Sequence, residues 1–157
     1  MSNPDPTMIR EISFSILSEG KNIRLRAEGY SMYPAIKPGS VIHIEPYPEG
    51  TEPSEGDIIA WGRESGMVVH RLISKIRDGQ GTYYITRGDS NLAEDHPVNP
   101  DQVAGRVVRI EYRGKEKKVR REKPWRLRYR INRARTWFIQ KTRKIETAHG
   151  LSLLKKI

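Results

Sequence analysis

The sequence contains no cysteine. That absence excludes a disulfide framework, a thiol nucleophile and a thiolate metal site, and it leaves the redox compartment open. Nowhere do 18 apolar residues run together, so no transmembrane helix is expected. The N-terminal stretch MSNPDPTMIREISFSILSEG has neither a basic leader nor a long apolar run, so it does not read as a secretory signal. A cytoplasmic protein, or one held peripherally on a membrane, is the expectation. A G-x-x-x-x-G-K phosphate loop is missing as well. His43, His96 and His149 show no metal-ligand spacing, and neither metal nor cofactor is expected.

What is present is charge, unevenly placed. The chain has 157 residues, enough for one domain with an appendage, and a net charge of +10. Residues 1–112 carry 12 Lys and Arg against 16 Asp and Glu, a net of −4, whereas residues 113–157 carry 17 against 3, a net of +14. An acidic core with a strongly basic tail calls for an anionic partner: lipid headgroups, nucleic acid or an acidic protein.

The periodicity predicts a mainly β protein. Residues 7–19 read as a short amphipathic helix, with Ile9, Ile12, Ile16 and Leu17 on one face, Thr7 as the cap and Gly20 at the end. Alternation predicts strands over 23–29, 40–46, 56–62, 66–76, 82–88 and 101–112, punctuated by Gly and Pro turns. This divides the chain into an N-terminal helical segment (1–22), a β core (23–112) and a basic tail (113–157). In the tail, Leu127, Ile131, Ala134, Phe138 and Ile145 recur at helical spacing among Arg and Lys. A basic amphipathic helix is expected over 124–146, with 124–127 also readable as an extended entry. Its candidate contacts with an anionic surface are Trp125, Arg128, Arg130, Arg135, Trp137 and Phe138.

One hydroxyl stands out. In AEGYSMYPAIKPG, Ser31 lies on a turn restricted by Pro34 and Pro38. A serine in a turn is commonly only a turn residue. As a nucleophile it needs a base and oxyanion donors. His70, inside the apolar strand MVVHRLI, is a suitable general base near pH 7. TRGDSNLAED follows one strand later, and either Asp89 or Asp95 can hold the second imidazole nitrogen. Asp89 is equally readable as a turn former.

These stretches in order resemble the successive boxes of the signal peptidase I family: GYSMYPAIKPGSVIHIEP, GDIIAW, VVHRLI and YYITRGDSNLAEDHPVNPDQVAGRVV, spanning residues 25–110. More distantly they resemble the self-cleaving LexA-like repressors of the same fold. The resemblance implies a serine endopeptidase on a mostly β scaffold that cleaves a leader or signal segment of a precursor protein after a small residue. Ser31 matches the nucleophile of the S-M-x-P box. The bacterial branch uses a lysine base, but here the matching residue is His70, as in the archaeal and endoplasmic-reticulum branch. Lys75 is set aside because its strand parity is opposite to that of His70. Carried over, His70 is the base, Asp95 the orienting acid, and Asp89 a second acid or a structural residue. The Ser31 N–H is an oxyanion donor, and Met32, Tyr33 and Ile36 either line the cleft or pack the core. Where many members place a hydroxyl two residues before the nucleophile, this chain has Gly29. Two other readings stand beside this one: a catalytically idle core acting as a membrane or protein adaptor, and a nucleic-acid-binding regulator working through the basic tail. No helix-turn-helix precedes the acidic core, so nucleic acid is the less favoured partner. Oligomeric state is left open.

Overall fold

A computed structural model describes residues 5–79 and 81–121, together with residues 131 and 134. The helix expected over 124–146, with Trp125, Arg128, Arg130, Arg135, Trp137 and Phe138, therefore lies outside the described residues.

Helix α1 spans Pro6–Ser18. Its cap is Asp5, whose carboxylate accepts a hydrogen bond from the Thr7 N–H at 2.9 Å. The expected cap, Thr7, is thus already inside the helix. Pro6 suits the first turn, where its missing N–H leaves no bond unmade. Gly20 ends the helix as expected, at φ 76°. The predicted stripe holds except at Ile12. Ser13 and Leu17 are buried, Ile9, Phe14 and Ile16 are half-buried, and Ile12 is 53% exposed. Phe14 lies over Gly62, where an added Cβ would sit 2.7 Å from the Phe14 ring. The absent side chain at Gly62 is what lets the helix approach the sheet.

Seven strands form one antiparallel sheet: β1 (Ile23–Arg26), β2 (Val41–Glu45), β3 (Ile58–Arg63), β4 (Gly66–Asp78), β5 (Gly81–Arg87), β6 (Val103–Tyr112) and β7 (Lys115–Lys118). Their order is β1-β2-β6-β3-β4-β5, with β7 also paired to β6. A 3-10 turn, Pro100–Gln102, leads into β6. β6 is the shared strand: it pairs with β2, with β3 near its start and with β7 near its end. β7 lies beyond the expected core boundary at residue 112. Arg121 ties the segment after it to the core, its Nε donating to Asp57 Oδ1 at 2.8 Å. Asp57 also accepts from the Ser54 N–H and from Tyr47. Burial, and then the Asp57 charge beside it, push the Tyr47 phenol well above its ordinary range.

Two apolar clusters fill the interior. One gathers Leu17, Met32, Ile36, Ile42, Ile44, Ile58 and Ile110 under α1 and the serine turn. The other gathers Ile59, Trp61, Val68, Leu72, Tyr84 and Val98. Burial of such side chains contributes roughly 1.5–3 kcal/mol each before the entropy of ordering is counted.

Among the described glycines, Gly105 is the most tightly approached: an added Cβ there would collide with the Glu45 carbonyl. Replacing Gly105 with Ala is expected to cost about 1–3 kcal/mol. The check is urea unfolding, with a lower midpoint at unchanged slope.

Candidate active site

Ser31 opens the turn that joins β1 to β2, where Tyr33 N–H donates to Tyr30 O and Ile36 N–H to Met32 O, at 3.0 and 2.9 Å. Met32 and Ile36 anchor this turn, 4% and 2% exposed, in the first apolar cluster. These apolar anchors, both just after the serine, hold it at the surface of the core. Its carbonyl accepts the Ser90 N–H at 2.8 Å, and Ser90 Oγ donates to the Tyr33 carbonyl at 2.5 Å. Gly88 makes this seat possible. A Cβ there would lie 2.7 Å from the Ser31 carbonyl oxygen and 2.9 Å from Asn91 Cγ. Among the described residues, the Ser31 N–H has no hydrogen-bond acceptor.

His70 sits on β4 opposite Ile59 of β3 and is 8% exposed. Its Nδ1 and Asp95 Oδ2 are 2.6 Å apart. Thr86 Oγ1 donates to the same carboxylate oxygen at 2.6 Å, and the Asp95 N–H donates to the Thr86 carbonyl at 2.8 Å. Burial acts to raise the Asp95 carboxyl. The hydrogen bonds from His70 and Thr86, with the charges of His70 and Arg63, outweigh it and hold the group below the usual carboxylate range. With Nδ1–H donating to an ionised Asp95, the imidazole presents Nε2 on its opposite side.

Asp89 does not reach His70. It takes a two-point bond from Arg71, at 2.8 Å to Nε and 2.7 Å to Nη2, and Arg71 Nη1 donates to the Gly56 carbonyl. Both partners are largely buried, so the pair is a brace between β4 and the 88–91 turn. The two aspartates that the sequence left as alternatives are thereby separated by geometry. Lys75 is paired with Glu52, away from His70.

Ser31, His70 and Asp95 line one cleft of about 750 Å³. Met32, Ile36 and Asn91 line it too, as does the chain from Leu25 to Gly29. Tyr33 is outside this lining, and its part is the carbonyl that Ser90 holds. Met32 and Ile36 combine both expected roles, buried in the core and bordering the cleft. Among the described residues, no hydrogen bond joins Ser31 Oγ to His70. A Cβ at Gly29 would meet nothing within 4 Å.

Several contributors were not singled out from sequence: Ser90, Arg71, Thr86 and Arg63. Ser90 and Thr86 look like ordinary polar strand and turn residues. Arg71 carried a signal, since a lone arginine in an apolar strand demands a carboxylate.

No family model matches the chain. Over 86 residues, 54% of this chain, it is 30% identical to signal peptidase I W of Bacillus subtilis (strain 168). That alignment covers 43% of the relative, so the chain spans less than half the length of the curated protein it matches. The distant similarity points to the signal peptidase I family. Among the described residues, no helix is long and apolar enough to cross a membrane.

A carboxyl held below its unfolded value stabilises the fold fully above that value, and the contribution disappears as pH falls through the lowered one. For Asp95 the window begins near the ordinary 3.8 and extends downward. Acid titration of unfolding free energy is therefore expected to fall less steeply for Asp95→Asn than for wild type below about pH 4.

Proposed function

We propose that the chain is a serine endopeptidase in which Ser31 is the nucleophile, His70 the general base and Asp95 the group that orients and stabilises the imidazole. The observation that carries this reading is the bond between His70 Nδ1 and Asp95 Oδ2, formed in the same cleft that Ser31 lines. Catalytic hydrogen bonds to a resting serine are commonly long or absent and tighten with substrate.

In the proposed sequence, His70 Nε2 accepts the Ser31 proton as Oγ attacks a peptide carbonyl. The tetrahedral oxyanion forms beside the unengaged Ser31 N–H. Collapse transfers the proton from His70 to the leaving amine and leaves an acyl-enzyme. Water, deprotonated by His70, then releases the acid. Asp95 stays ionised throughout and stabilises the imidazolium. The edge of β1 not paired with β2 offers a place for an extended peptide to add main-chain hydrogen bonds. The lining residues 25–29 lead from that edge towards Ser31. The general substrate class is a precursor protein, and the cleavage of a leader or signal segment after a small residue belongs to this proposal.

The adaptor reading is favoured by one observation: the missing bond between Ser31 and His70 in the resting molecule. A fluorophosphonate probe separates the two readings. Labelling of Ser31 that disappears in His70→Ala is expected. Equal cleavage of a co-expressed precursor by wild type and Ser31→Ala would reject the peptidase.

The two aspartates are expected to fail differently. Asp95→Asn should lower kcat by about 10³–10⁴-fold with little change in KM, because the imidazole loses its orienting partner. Asp89→Asn takes the Asp89 charge from a buried Arg71, and should cost about 3–5 kcal/mol of stability. Turnover of the fraction that remains folded should stay close to wild type. Stopped assays paired with denaturant titrations read both effects.

A further inference from the structure

We propose that Arg63 makes the cleft selective for peptides bearing an acidic residue about three or four positions from the scissile bond. This rests on the peptidase reading and adds a preference within it.

Arg63 ends β3 and pairs with Gly66, the first residue of β4. The register Ile59–His70, Trp61–Val68, Arg63–Gly66 places Arg63 on the same face of the hairpin as His70. Gly66 precedes His70 by four residues, or about 13 Å at a strand rise of 3.3 Å. An extended peptide rises at the same rate. One following the Met67–Val69 wall would pass Arg63 about three or four residues from the bond that Ser31 attacks. Arg63 lines the cleft with Pro6, Ile9 and Met67. Arg10 Nη1 donates to its carbonyl at 3.0 Å, which fixes the end of β3 beneath it.

The guanidinium is exposed and has no ion pair among the described residues. Arg24, Arg71, Arg77, Arg109 and Arg121, by contrast, each hold a carboxylate. Asp95 feels the charge of Arg63 but is hydrogen-bonded to His70 and Thr86 instead. Arg26 also borders the cleft without an ion pair. It lies beside Gly39, however, and Glu28, two residues along the same wall, opposes its charge. Glu64 follows Arg63 and Asp95 feels its charge, but neither carboxylate holds the guanidinium in an ion pair, and of the two cations Arg63 is the one on the hairpin face that carries His70.

The test is digestion of a proteome-derived peptide library by the full chain, with the residues flanking each Ser31-dependent cut read by mass spectrometry. Wild type should enrich Asp and Glu about two- to fivefold at one position three or four residues from the cut, the range expected for an exposed ion pair. Enrichment should fade in high salt. Arg63→Gln should abolish it and Arg63→Glu should invert it towards Lys and Arg, read as the ratio of acidic to basic residues among the cuts each variant still makes. Cleavage without an acidic preference, or a preference that survives Arg63→Glu, overturns the inference and leaves the peptidase standing. A parallel arm retains library peptides on immobilised Ser31→Ala chain. Retention of acidic peptides that Arg63→Glu removes, with no cleavage by wild type, would sustain the recognition by Arg63 and reject the peptidase. Neither cleavage nor acidic retention would reject both.

Discussion

The site depends on one short segment, 88–95, that is bonded at the same time to the serine turn and to the histidine strand. Near its start, the Ser90 N–H holds the Ser31 carbonyl and the Ser90 hydroxyl holds that of Tyr33. At its end, Asp95 meets His70. Just before Ser90, Asp89 accepts from Arg71, the neighbour of His70 on β4. Ser31 and His70 belong to distant parts of the chain and pack against each other only through what surrounds them. The segment converts that separation into fixed geometry. Gly88 is the condition for it, because any side chain there would occupy the place of the Ser31 carbonyl.

The two carboxylates in this segment show how environment divides one chemistry into two roles. Asp89 faces a permanently charged guanidinium in a largely dry contact. Such a pair is costly to break and mainly fixes position, since its attraction is spent against desolvation. Asp95 faces an imidazole, which can change charge near neutral pH. Its hydroxyl donor, Thr86, engages the oxygen that faces His70 and so keeps the carboxylate ionised. An ionised acceptor at Nδ1 is what makes the opposite nitrogen basic. Neither role follows from residue type, as both are aspartates six positions apart.

The parts legible in the sequence were those with strong local patterns. Alternation revealed β2, β4 and β6. The order of the serine, histidine and aspartate stretches anticipated that Ser31, His70 and Asp95 would share a cleft. The failures have physical causes. β7, KEKK, is exposed at all four positions, so it leaves no burial signature and reads as the start of a cationic tail. It is a strand because β6 offers it an open edge. In α1 only Ile12 departs from the predicted stripe, and Phe14, which packs over a glycine 48 residues away, was not part of it. The choice between Asp89 and Asp95 was undecidable locally, since it is made by Arg71 and Thr86 across the sheet. In β4, strict alternation also breaks between Leu72 and Ser74, where a bulge shifts the pairing with β5.

α1 is more than an amphipathic cover. Pro6 and Ile9 border the same cleft as His70, so the N-terminal helical segment forms part of its wall. Its distance from the sheet is set by Phe14 on Gly62, and its first turn abuts Gly66, where an added Cβ would lie 3.0 Å from Pro6. Gly62 and Gly66 bracket the β3–β4 turn that carries Arg63 and leads into His70. The same two glycines that admit the helix therefore place its N-terminal end against the strand that carries His70. A change in how α1 docks would be felt first at the far wall of the cleft, while the bond between His70 and Asp95, supported from β5 through Thr86, would be insulated from it.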